Sequence, residues 1–276
     1  EVAVYVVCPE AWRLKFLHGT RFQPGPEMEE AKELRRSWFS AQETSEQLRR
    51  YAKVAYILLF LLTLVVFLFE AVMPLARREG AHTAWEEILR AKQAIPTEIL
   101  LLMLTLGVII FIWDLFERRS RNFRSQTGIS EASRVVALQG SHYLPSRLYS
   151  SEQPGVVGQP DAVIVDGEFT IHVERRPLGK RVQDRHVAQL HLDMALIEAT
   201  EGKRPPYGIL VLGAEEHLET KRIRNSPEKQ RWVESLLDEM RSIIDGVPAV
   251  PAPNRHKCRN CDVRHSCKAS AHKQRD

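Results

Sequence analysis

Four cysteines and one pair of acids carry most of the chemistry that this sequence can offer. Cys258, Cys261 and Cys267 form C-x2-C-x5-C near the C-terminus, and Cys8 lies far upstream near the other end. A C-x2-C pair presents two thiolates to one metal, and soft sulfur ligands select zinc or an iron–sulfur cluster over magnesium or calcium. His256 and His265 flank the triplet, so a zinc knuckle with a histidine ligand is an alternative. The acids are Asp161 and Glu174, in GQPDAVIVDGEFTIHVERRPLGKR at 158 to 181. Two hard oxygen ligands with open positions suit magnesium or manganese, which can activate water and stabilise charge on a scissile phosphate.

These residues need elements to position them. Strand-like runs occur at 134–138 (RVVAL), 161–165 (DAVIV), 168–174 (EFTIHVE) and 207–213 (YGILVLG). Asp166-Gly167 is a hairpin signal between the second and third. Alternation then puts Thr170, His172, Glu174 and Arg176 on one face, with Ile171 and Val173 toward the core. Asp161, on the paired strand, can meet Glu174. Helical periodicity covers 185–202, with Gln189 and Asp193 four residues apart on one face, and again 227–246. Mixed strands and helices in this order mean α/β. Lys180, Arg181, Arg185, Lys203 and Arg204 could track a phosphate backbone or form a solvated face, and the same two readings apply to Lys221, Arg222 and Arg224. His172 and His186 read as structural histidines.

The segment YVVCPEAWRLKFLHG at 5 to 19, with the terminal cysteine triplet, resembles the paired ends of RecB-like CRISPR-associated exonucleases, the Cas-four family, and of the related AddB nuclease domain. The interior run resembles the family's Gly-x-x-Asp and Glu-x-Lys, and AQLHLDMALIEATEG at 188 to 202 its Gln-containing helix. The resemblance implies a PD-(D/E)XK restriction-endonuclease-like mixed sheet flanked by helices. It also implies a 4Fe-4S cluster on Cys8, Cys258, Cys261 and Cys267, and a magnesium or manganese ion at Asp161 and Glu174. Arg176 then stands at the phosphate and Gln189 orients the site.

Three positions depart from that pattern. Arg176 replaces the usual Lys and keeps a cation without a tunable proton. Asp193 stands where an aromatic is usual and adds a negative charge near a phosphate path. Residues 27 to 53 contain no His, so the family's metal-binding His has no counterpart there.

The remaining sequence sets the frame. With 44% hydrophobic and 27% charged residues, 14 Gly and 15 Pro, the 276-residue chain is neither disordered nor collagenous, and a net charge of +4 names no partner. The mean hydropathy is slightly negative. That average hides two apolar runs, Val54–Met73 and Ile99–Trp113, the second extendable to Phe116. Both read as transmembrane helices. Basic flanks place both termini in the cytoplasm and residues 74–98 outside. The expected division is therefore 1–53, an N-terminal helical part with the first cysteine; 54–116, a transmembrane hairpin; 117–246, the nuclease-like core; and 247–276, the iron–sulfur segment.

The expected function is a membrane-anchored, metal-dependent DNA exonuclease, a multi-pass membrane protein. Its partners would be the membrane, DNA that is single-stranded or has free ends, and proteins of CRISPR adaptation or repair. The alternative is a degenerate nuclease fold serving as a membrane-tethered binding module, or a zinc-bound adaptor.

Overall fold

The computed structural model describes residues 1–20, 26–77, 84–125, 127–130, 133–152, 155–214 and 217–271, with the side chains of 26–28, 67, 69–77 and 84–102 outside the description. The chain opens with two short helices, α1 (Val2–Val7) and α2 (Pro9–Trp12), and a π-helical turn, Arg13–Leu17. Two long helices follow, α3 (Pro26–Arg77) and α4 (Ala84–Ser125). Then come β1 (Arg134–Leu138), β2 (Tyr149–Ser151), β3 (Val156–Gly158), β4 (Ala162–Asp166), β5 (Phe169–Arg176), α5 (Asp184–Glu201), β6 (Tyr207–Leu212), β7 (Glu219–Arg224), α6 (Pro227–Ile244) and α7 (Arg255–Arg259).

One compact unit comprises Glu1–Glu43 with Arg124–Asp276. Its centre is a five-stranded mixed sheet in the order β1-β4-β5-β6-β7, parallel only between β5 and β6, beside a separate β2-β3 pair. The expected hairpin forms: Asp166 pairs with Phe169 across a tight turn in which Gly167 takes φ 61°, a conformation open to glycine at little cost. A parallel neighbour and a helix layer on each side bury β5 on both faces. Ile171 and Val173 pack with Trp38 of α3, Ile129 and Leu138 on one side. On the other, α5 and α6 pack with Tyr5 and Trp12 over Val163. His172 and Glu174, on the α5 side, are therefore buried as well. Trp38 is locked by its indole N–H, which donates to the Thr127 carbonyl at 2.9 Å.

The second unit, Thr44–Phe123, is an antiparallel pairing of α3 with α4. Ser45 Oγ donates to the Ser120 carbonyl at 3.2 Å and Ser120 Oγ to the Ser45 carbonyl at 3.1 Å, and the Tyr51 and Phe116 rings are 6.4 Å apart. Leu58, Leu61, Val65, Met103, Leu104 and Phe111 are exposed on it.

The membrane expectation is corrected here. Val54–Met73 and Ile99–Trp113 are portions of helices of 52 and 42 residues. Among the described residues, no helix is long and apolar enough to cross a membrane. A bilayer core demands roughly 20 apolar residues in one helix, a run that no helix offers among the described residues. The multi-pass localisation with cytoplasmic termini falls with that finding, as does the membrane as partner. Of the expected outer loop, residues 84–98 belong to α4, and their side chains lie outside the description.

Candidate functional site

The site grows from the pairing of β4 with β5. Ala162 faces Val173, so Asp161 sits one step further along the same register, at the level of Glu174. Asp161 is buried, and its Oδ2 accepts the Arg175 backbone N–H at 2.9 Å. Its Oδ1 forms an ion pair with Arg35, reaching in from α3. Arg35 also donates to Gln139 Oε1 at 3.1 Å and lies 5.6 Å from the Phe39 ring centroid.

Glu174 is held from two sides. Its Oε1 meets Arg176 at 2.5 Å and its Oε2 lies 3.3 Å from His172 Nε2. His172 Nδ1 is 3.1 Å from Asp193 Oδ2, and Gln189 Nε2 donates to that same oxygen at 2.9 Å. A continuous polar line thus runs from Gln189 on α5 through Asp193, His172 and Glu174 to Arg176. Arg175, between the two site residues of β5, turns away: it donates to the carbonyls of Val211 at 3.2 Å and Gly213 at 2.5 Å, stapling β5 to the end of β6.

The electrostatics follow from opposite charges packed in a dry place. Burial works against a charge on Glu174, yet Arg176, His172 and Arg35 outweigh it and hold the carboxyl well below the usual range. Burial likewise opposes the charged form of His172, but Asp193 and Glu174 lift its pKa to about 9. Burial, with Arg176 adding and Glu174 opposing, lowers the pKa of Arg35. Beside this line opens a cavity of about 390 Å³, lined among others by Arg176, Lys180, Arg181, Arg185 and His186, with no carboxylate among the described residues of its wall. There burial, with Arg176 and Arg185 nearby, pushes His186 down to about 4.

A family model described as the PD-(D/E)XK nuclease superfamily matches residues 110–268, more than half of the chain. The chain belongs to the PD-(D/E)XK nuclease superfamily. Its mixed five-stranded sheet flanked by helices agrees with the superfamily fold, and the superfamily carries nuclease-type chemistry. No curated protein matches. A solved structure described as "Crystal structure of SSO0001" is 17% identical and has a TM-score of 0.32; the similarity covers 67% of this chain and 77% of that one.

Asp161, Glu174, Arg176 and Gln189 of this superfamily member are thus brought to one end of the β4–β5–α5 layer. Three further residues join them. Asp193, expected as an intruding charge, is tucked behind Glu174 and balanced by His172 and Gln189. His172, expected to be structural, faces both acids because α5 covers the face to which β5 alternation directs it. Arg35 carries no signal in the sequence that links it to Asp161; the helical segment in which the resemblance implies a His offers a guanidinium instead. His186 keeps a structural role, its Nδ1 accepting the Gln183 N–H at 3.3 Å in a capping box at the start of α5.

The cysteines are four free thiols, all half-buried. Cys8 stands between α1 and α2, Cys258 on α7, and Cys261 and Cys267 in the turns beyond. Lys257 Nζ donates to the Val7 carbonyl at 3.2 Å and Lys15 pairs with Asp262 at 2.7 Å, so the C-terminal segment docks beside Cys8. Burial raises the thiol pKa of Cys261 and of Cys267, and Cys8 and Cys258 add to both. They do not converge into one tight ligand group. Among the described residues, the group of three or more potential metal ligands with donor atoms within 4.8 Å of one another is His172, Glu174 and Asp193.

Proposed function

We propose that the chain is a divalent-metal-dependent nuclease that hydrolyses DNA phosphodiesters, of the RecB-like exonuclease type. The observation that carries this reading is the acidic pair: Asp161 and Glu174 are buried at one level of paired strands, beside a cavity walled by arginine and lysine. The side chains present fit a hard divalent ion, because the pair offers oxygen ligands and the neighbouring Asp193 Oδ1 is buried without a hydrogen-bond partner. A bound magnesium or manganese ion supplies a more acidic attacking water and stabilisation of charge on the scissile phosphate. The chain's own groups do the rest. Lys180, Arg181 and Arg185 hold the strand's backbone phosphates. Arg176 turns from Glu174 toward the scissile phosphate, as a fixed cation that takes no part in proton transfer. Gln189 fixes Asp193, and Asp193 in turn orients His172.

We also read Cys8, Cys258, Cys261 and Cys267 as ligands of a 4Fe-4S cluster that pins the C-terminal segment to α1 and α2. Burial, with Cys8 and Cys258 nearby, raises the proton affinity of the Cys261 and Cys267 thiols, and a metal that binds them as thiolates relieves it. A second reading, a nucleic-acid-binding module without catalysis, is favoured by one observation: Arg35 and Arg176 already neutralise Asp161 and Glu174. The two part in one experiment. The full chain, purified without oxygen, should carry iron and sulfide and should cleave DNA with magnesium or manganese. Asp161→Ala and Glu174→Ala should each lose more than tenfold while the iron content stays. DNA binding without cleavage under either ion supports the module instead.

A further inference from the structure

The acidic pair carries its own counter-charge. Arg35 is paired with Asp161 Oδ1, and Arg176 with Glu174 Oε1 at 2.5 Å, so two carboxylates and two guanidiniums make a neutral set. Arg35 stands close enough to Glu174 and Arg176 for both to act on its charge. Gln139 Oε1 at 3.1 Å and the Phe39 ring at 5.6 Å hold it without neutralising it, and its Nε is buried without a hydrogen-bond partner. The side chain is half-buried, so it has a way out toward solvent. Ala31, one turn earlier on α3, lines the cavity whose wall also carries Arg176, Lys180, Arg181 and Arg185. A divalent ion at Asp161 and Glu174 would bring two positive charges into this neutral set. The guanidiniums then become surplus, and like charges a few ångströms apart in a dry site repel strongly. Two strand phosphates carry the two negative charges that restore the balance. Without the ion, a strand meets acids and arginines that already cancel. Each ligand therefore prepares the site for the other, and such coupling is reciprocal.

We propose that Arg35 is a displaceable counter-ion: it holds Asp161 until a divalent ion takes that carboxylate, and then swings to a backbone phosphate of the strand next to the scissile one. Arg35 thus binds substrate only in the ion-loaded chain. The neutral acid pair of the metal-free chain is the resting state of a metal site, with α3 supplying the cation that keeps Asp161 in place. The proposal rests on the nuclease reading and keeps Asp161 and Glu174 as the ligands.

Two binding measurements on the full chain, with its cysteine site loaded, test this. Manganese affinity is read from the electron paramagnetic resonance of the free ion. DNA affinity is read from the fluorescence anisotropy of a labelled single-stranded oligonucleotide, without divalent ion and with calcium, a hard cation that oxygen donors also take, the oligonucleotide being checked for intactness. Arg35→Gln should bind manganese more than fivefold tighter in the absence of DNA, and its loss of DNA affinity should be at least threefold larger with calcium than without. Arg35→Lys should recover most of the calcium-dependent affinity. Asp161→Asn frees Arg35 without any ion, so it should tighten ion-free DNA binding more than threefold, a gain that Arg35→Gln in the same chain removes; this pair decides if Arg35→Gln alone does not fold. Manganese bound no tighter by Arg35→Gln, or a loss of DNA affinity equal with and without calcium, overturns the role of Arg35. Cleavage measured in parallel separates the two claims. A chain that cleaves DNA yet gives either of those results refutes the role of Arg35 alone, and one that shows the expected binding but cleaves nothing with magnesium or manganese refutes the hydrolase alone.

Discussion

Removing Arg35 should leave Asp161 as a buried carboxylate with no cation of its own. Asp161 is 2% exposed while the Arg35 side chain is 37% exposed, so the pair lies between the buried and surface extremes. Breaking a buried pair costs about 3–5 kcal/mol, and a surface pair is worth about 0–1 kcal/mol. The Arg175 N–H still serves one oxygen of Asp161 in the variant. Arg35→Ala should therefore destabilise the first unit by about 1.5–3 kcal/mol, read by urea unfolding followed through tryptophan fluorescence. Removing the charge as well should recover part of that loss, because the cost is mainly an uncompensated carboxylate. Asp161→Asn combined with Arg35→Ala should be more stable than the sum of the single effects by about 1 kcal/mol. An Arg35→Ala cost below about 0.5 kcal/mol, or strict additivity of the two changes, would refute the ion pair as the element that seats α3 against the site.

Two further outcomes follow from the same geometry. His186, held neutral with its pKa down at about 4 against an ordinary 6.5, contributes stability that is present above pH 6.5 and lost as pH falls toward 4, because the unfolded chain takes up the proton first. That shift corresponds to a loss on the order of 3 kcal/mol, and His186→Gln should flatten this part of the stability profile; an unchanged profile counts against it. At Gly158, an added Cβ would stand 2.6 Å from Leu196 Cδ1 and 2.7 Å from Asp193 Oδ1, both on buried side chains. Gly158→Ala should thus cost about 1–3 kcal/mol in unfolding measurements, and a cost within 0.3 kcal/mol of zero would show that α5 yields freely there.

Local pattern alone determined a good part of this protein. The runs that became β1, β4, β5 and β6 and the helices α5 and α6 are legible because side-chain periodicity is a property of neighbouring residues. The Asp166-Gly167 turn sets the register that levels Asp161 with Glu174, so that pair was legible too. The edge strand β7 was not. Five of its six residues, Glu219–Arg224, are polar and exposed, Ile223 being the exception, and hydrogen bonding to β6 makes them a strand. The apolar runs within α3 and α4 invited a membrane reading because composition measures apolarity and says nothing of where a helix begins or ends. The site's other half was decided by tertiary structure. His172 became a site residue because α5 lies over β5 and brings Asp193 to it, and Arg35 because α3 crosses near the start of β4. Charges that meet across such distances leave no periodic trace, since what joins them is the closing of layers over a common sheet and the cost of burying either one alone.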